Sequence, residues 1–242
     1  MLVCLTSAKG SPGVSTTALC LAAAGPGAAV VVEADPAGGD LECWTGPHGA
    51  AGLVGLATSL RPGMTGQELD SHAVDVVAGV RAVTAPTTEA AMAAVLDRAA
   101  GPMGEVLAHV DTDVFVDLGR WLPARPLMSL LGAADLVLVL CRPTLESIEH
   151  TRGLVAPGGQ VDGAGVPVAV VVVGGARPYG AGEITAALDR PVLGVLPWDP
   201  RGVLALVEHG TGRGWRRSVL AAAARDLDMR LRSVDEKAGA GA

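Results

Sequence analysis

Aromatic residues are scarce in this chain: one Phe, one Tyr and four Trp among 242 residues. Because 50% of the residues are nevertheless hydrophobic, any core must be built from Val, Leu and Ala. Lysine is scarcer still and occurs only at positions 9 and 237; Arg supplies the rest of the basic charge, a coding bias without functional content. The four cysteines (Cys4, Cys20, Cys43, Cys141) show no C-x-x-C spacing, and the five histidines show no ligand spacing. Both patterns argue for free thiols and against a zinc site. No apolar run approaches the roughly 20 residues that span a bilayer. The N-terminal run gives way to a Gly/Pro loop too early for a signal peptide, so a cytoplasmic location is expected. The net charge of −7 speaks against whole-surface attraction to nucleic acid and leaves only a local basic patch open.

What the chain has is alternation. Short Val/Leu-rich runs at 2–5, 28–33, 80–85, 114–118, 136–141, 166–173 and 192–196 read as strands. Helical patterns fall at 15–24, 88–100, 145–155, 182–188 and 215–232. Several runs are apolar without two-residue alternation, as strands covered on both faces are. The predicted class is α/β, a doubly wound and mainly parallel sheet with helices on both faces. One domain is expected over 1–232, with a disordered tail at 233–242. Segments 46–79 and 118–132 are punctuated by Gly and Pro and read as less regular.

The first strand leads into Lys9-Gly10-Ser11-Pro12-Gly13 and then a helix at Val14-Ser15-Thr16. Glycines let backbone N–H groups close on an anion, and the helix N-terminus adds partial positive charge. The pattern G-x-x-x-x-G-K-[ST] fits at Gly13 and Ser15 but meets Ala8 at its first glycine and Val14 at its lysine. Two further runs end in carboxylates, "VVVEADPAGGDL" with Glu33 and Asp35 and "VFVDLG" with Asp117, and a last one ends in Pro197-Trp198-Asp199. Ligands of open α/β sheets bind outside the carboxyl ends of the strands, so these residues form one candidate site. Each also has a plainer reading: an Asp-Pro turn, a strand-ending turn, a tight Pro-Trp-Asp turn. Glu33 reads as a strand-end hydrogen-bond partner and not as a catalyst.

The ordered set "AKGSPGVSTT", "EADPAGGDL", "VFVDLG", "LVLCRPTLESIEHT" and "LGVLPWDPRGVLALVEHG" resembles the MinD/ParA family of deviant Walker-A P-loop ATPases, of the SIMIBI class. Lys9 stands at the family's signature lysine, while Ser11 replaces a glycine and Val14 the second lysine. The resemblance implies ATP and Mg²⁺ as cofactors and a phosphate loop made of Lys9, Gly10, Ser11, Gly13, Val14, Ser15 and Thr16. It further implies Ser15 and Asp117 at the metal, Asp35 orienting the attacking water, and Lys9 reaching a partner's phosphates in a nucleotide-dependent homodimer. Pro197 and Asp199 would lie near the base. Arg177, in a loop that lacks the family's asparagine, is open between a base or phosphate contact and a solvated charge. The implied function is a dimerisation switch with slow or impaired ATP hydrolysis, a weak ATPase that positions or regulates a partner protein, as in chromosome or plasmid partitioning. Because of Val14, a pseudo-ATPase adaptor or localisation scaffold is the alternative. Arg213, Arg216 and Arg217 leave a DNA or membrane surface open. The stripe Val219, Leu220, Ala223, Leu227, Leu231 that follows has the spacing of a helix packed on the sheet.

Overall fold

A computed structural model of the chain describes residues 1–9, 12–45, 51–77, 79–122 and 125–239. The N-terminal half runs β1 (Leu2–Ser7), α1 (Val14–Ala24), β2 (Ala29–Glu33), the short helices α2 (Leu41–Thr45), α3 (Leu53–Ser59) and α4 (Gly66–Asp70), then β3 (Val74–Val77), β4 (Val80–Val83) and α5 (Glu89–Leu107). The C-terminal half runs β5 (Asp113–Arg120), α6 (Arg125–Gly132), β6 (Leu136–Cys141), α7 (Leu145–Val155), β7 (Val168–Val173), α8 (Ala181–Leu188), β8 (Val192–Leu196), α9 (Pro200–His209), α10 (Arg213–Arg216) and α11 (Val219–Gly239).

The strands form one eight-stranded sheet in the order β3-β4-β2-β5-β1-β6-β7-β8. Every pair is parallel except β3 with β4. All seven expected strands are present. The eighth, β3, was hidden in the segment read as irregular. It is a four-residue edge hairpin arm, too short to leave a periodic signal. The same segment holds α3 and α4, the short helix α2 ends just before it, and α6 lies in the other segment read as irregular.

Side chains alternate between two apolar layers, one on each face of the sheet. Along β6, Val137, Val139 and Cys141 enter one layer while Leu136, Leu138 and Leu140 enter the other. That double coverage is why "LVLVLC" is apolar at every position. Each fully buried Val or Leu of this kind contributes about 1.5–3 kcal/mol. Helices α1 and α11 cover one face, α5, α6, α7 and α8 the other. Within α11, Leu220, Leu227 and Leu231 are buried against this core as their spacing predicts, whereas Val219 remains 63% exposed. Helix α11 also runs on to Gly239, so 233–239 is helical and not the disordered tail expected from its lack of apolar residues. Ala, Glu and Lys in "DEKAG" are good helix formers and extend a helix already anchored upstream. Among the described residues no helix is long and apolar enough to cross a membrane.

Candidate functional site

Because β1, β2, β5, β6, β7 and β8 are parallel, their carboxyl ends open on one edge, and the candidate residues assemble there. Helix α1 begins at Gly13, whose φ of 98° lies in the left-handed region that disfavours residues with a side chain. Other helices have side-chain caps: Thr65 on α4, Thr88 on α5, Thr144 on α7 and Asp199 on α9. Among the described residues no side chain caps α1, as none caps α3, α8 or α10, and its first turn carries no acidic residue. Its leading N–H groups are thus left facing outward, the arrangement that receives an anion. Gly10 and Ser11 lie outside the described residues.

Below this helix start sits Asp117, fully buried on β5. One carboxylate oxygen, Oδ1, accepts the Gly119 N–H at 2.9 Å, while Oδ2 is buried without a hydrogen-bond partner. Burial pushes the acid up to about 7; the Ser15 hydroxyl and the Gly119 N–H pull the other way, and Glu33 and Asp35 add repulsion. Lone buried carboxylate oxygens are costly unless something pairs with them. A hydroxyl beside a half-satisfied buried carboxylate, under an outward-facing helix start, suits a magnesium–phosphate group. Mg²⁺ keeps several waters and takes few protein ligands. Accordingly, among the described residues no three His, Cys, Asp or Glu side chains converge into a closed metal site.

Glu33, paired in register with Asp117 across β2 and β5, behaves differently. Its Oε1 accepts from the Asp40 and Leu41 N–H groups at 2.7 and 3.1 Å, and its Oε2 from the Ala85 N–H at 2.8 Å. Glu33 therefore ties the loop after β2 to the end of β4, as a structural partner. Asp35 is half-buried, accepts the Ala37 N–H at 2.8 Å and is raised above the usual carboxylate range chiefly by burial. It lies flat on Gly119: a Cβ there would fall 1.7 Å from Asp35 Oδ2. Gly119 has a φ of 57° and the Thr6 hydroxyl donates to its carbonyl, which fixes Asp35 above Asp117.

The loop residues divide. Val14 is buried in the apolar layer with Ala18, Leu21 and Leu140. Its side chain turns into the core, so of the phosphate-loop role that the resemblance implies for Val14 only the backbone N–H at the helix start is left. Lys9 is exposed, its Nζ 3.5 Å from Nε2 of His150 on α7. Thr16 and Gly13 line a cleft of about 440 Å³ together with Pro197 and Asp199. Asp199 does not present its carboxylate to that cleft freely. Its Oδ1 accepts the Gly202 N–H at 2.9 Å and its Oδ2 the Leu220 N–H at 3.3 Å, so it is the cap of α9 and a tie to α11. Arg177 is exposed on the loop after β7 and is not among the cleft residues.

Sequence reasoning missed the remaining cleft wall. Val203, Leu204 and Val207 come from α9, and Arg142 from the end of β6. Helix α9 carried a signal, since Asp199-Pro200 is a cap residue followed by proline at the first helical position. Arg142 carried none beyond its place at a strand end.

No family model matches the chain, and no curated protein matches it. Solved structures do. A ParA family ATPase from Chlorobium tepidum TLS is 17% identical with a TM-score of 0.73, covering 95% of this chain and 98% of the other. The septum site-determining protein MinD of Pyrococcus horikoshii OT3, complexed with Mg-ADP, is 18% identical with a TM-score of 0.69 over 99% and 98%. A plasmid partition protein from Borrelia burgdorferi is 11% identical with a TM-score of 0.63 over 96% and 98%. Their lengths correspond and the strand framework is shared, so this chain has the doubly wound α/β fold of P-loop NTPases, in the form seen in ParA and MinD ATPases.

Proposed function

We propose that the chain is a MinD/ParA-like switch that binds ATP with Mg²⁺ at the α1 start and uses the bound state to form a homodimer and to position or regulate a partner protein. The observation that carries this reading is the buried Asp117 carboxylate with an unpartnered oxygen beside Ser15, under a helix start that no side chain caps. The N–H groups of residues 13–16 take the phosphates. Ser15 and Asp117 would hold the metal. Asp35, fixed by Gly119 and Ala37, orients a water. Lys9, exposed and met by His150 alone among the described residues, is free to leave for a neighbouring subunit. Bound Mg²⁺ supplies charge neutralisation between phosphate oxygens. Without a lysine at position 14, one charge-assisted phosphate contact is lost; such contacts contribute about 1.5–3 kcal/mol each. Turnover is therefore slow.

Calorimetric titration of the chain with ATP, with and without Mg²⁺, tests the reading, alongside light scattering for dimers. Binding that strengthens with Mg²⁺, and loses that gain in Asp117→Asn, supports it. Absence of any heat at millimolar ATP sinks it.

A second reading is favoured by the burial of Val14: an adaptor of the same fold that binds nucleotide without hydrolysing it. It predicts phosphate release from the wild type no faster than from Asp35→Asn. A clear difference between the two would return the chain to the enzymes.

A further inference from the structure

The cleft beside Gly13 has one large aromatic on its lip. Trp198 lines it while remaining 69% exposed, and the walls behind are apolar, including Val173, Leu196 and Leu220. An indole of that exposure is a surface in want of a flat partner.

Among the described residues no carboxylate or amide side chain in the cleft is left to select one purine. A carboxylate aimed into the cleft would select guanine by accepting from its ring and amino N–H groups, and an amide would select adenine. The single carboxylate among the cleft residues, Asp199, has both oxygens bound to the Gly202 and Leu220 N–H groups. No Asn or Gln lines the cleft among the described residues. Arg142, also a cleft residue, is a donor, and guanine offers a donor both O6 and N7 where adenine offers only N7, so a contact from it would tilt the cleft modestly toward guanine. The Thr16 and Thr17 hydroxyls donate and accept and suit either purine. Base–aromatic stacking, by contrast, is tolerant of base identity because every base has a π-face.

We propose that the base is held in this cleft by stacking on the Trp198 indole, and that the cleft takes purine nucleoside triphosphates with little discrimination between adenine and guanine. The proposal rests on the reading of the α1 start as a triphosphate site. Whatever discrimination remains comes from main-chain groups, the two threonine hydroxyls or Arg142, and one neutral hydrogen bond changes affinity by about tenfold at most.

The test is calorimetry on the full chain with Mg²⁺ and three probes: ATP, GTP and inorganic triphosphate, which has no base. Wild type is expected to bind ATP and GTP within about tenfold of each other. Trp198→Ala weakens both nucleotides by roughly five- to a hundredfold and leaves triphosphate unchanged, whereas Trp198→Phe recovers most of the loss. A preference of more than about fiftyfold for either purine overturns the proposal. So does a Trp198→Ala chain that binds ATP as wild type does, or that loses triphosphate as badly as ATP. Triphosphate bound as tightly as ATP would leave the phosphate reading standing and remove this one; failure of all three probes would remove both.

Discussion

Glu33 and Asp117 are neighbours across two paired strands, both buried, both acidic, and both raised above the usual carboxylate range chiefly by burial. They differ in what their oxygens touch. Glu33 receives three backbone N–H groups; Asp117 receives one and keeps an oxygen empty. A buried carboxylate that is satisfied belongs to the architecture, and one that is half satisfied in the same surroundings is held for something that arrives later.

The largest effect expected from breaking that contrast is on Glu33. Glu33→Ala strands the buried Leu41 and Ala85 N–H groups, at about 1–3 kcal/mol each, and the partly buried Asp40 N–H, so the chain should lose several kcal/mol in a urea titration or fail to fold. Glu33→Gln should cost about 1–3 kcal/mol, because one acceptor becomes a donor facing a donor. A Glu33→Gln chain as stable as wild type would show that the tie is dispensable.

Next comes Gly119. Gly119→Ala inserts a methyl where Asp35 Oδ2 lies, on a residue with positive φ. Strain at such positions is of order 1–3 kcal/mol, and the displaced Asp35 should lower turnover more than nucleotide affinity. Equal losses in both would argue that Asp35 is a binding group.

Asp117→Asn sharpens the contrast with opposite signs for stability and function. The folded state holds the Asp117 proton up to about pH 7, whereas an unfolded Asp releases it near 3.9. Between those values the folded chain binds more protons, so in the absence of metal and nucleotide this residue's contribution to stability falls as pH rises. The Asn variant should match wild type near pH 4 and exceed it near pH 8, by a few kcal/mol at most. Thermal melts at the two pH values measure the difference, and parallel behaviour of the two chains would show that Asp117 is not desolvated.

How far the sequence carries this contrast can be judged residue by residue. The parallel strands were legible because burial on both faces leaves uninterrupted Val/Leu runs, as in β6. The short edge strand β3 was not, and neither were α2 to α4, helices of only five to seven residues, although the Thr65-x-x-Glu68 box that caps α4 is a local signal that went unread. Asp117 and Ser15 were legible by their strand-end and helix-start positions. The direction of Val14 was not, since a valine reads the same whether it faces a ligand or the core. Asp199 was legible as a residue of the cleft but not as a cap, because its second acceptor contact, with Leu220, is 21 residues away. Long-range hydrogen bonds of this kind leave no local pattern.

The smallest stability effect belongs to Lys9. Its ammonium is exposed and, among the described residues, meets only His150, at 3.5 Å, and pairs of that kind contribute little to folding. Lys9→Ala and His150→Ala should each leave stability within about 0.5 kcal/mol of wild type. The two variants then part company. If Lys9 serves a neighbouring subunit, its removal abolishes ATP-dependent dimers in light scattering, whereas removal of His150 frees the lysine and leaves dimers intact or more abundant. Loss of dimers in both would instead make the Lys9–His150 contact itself part of the assembled state, and Lys9 would join Glu33 on the architectural side of the comparison.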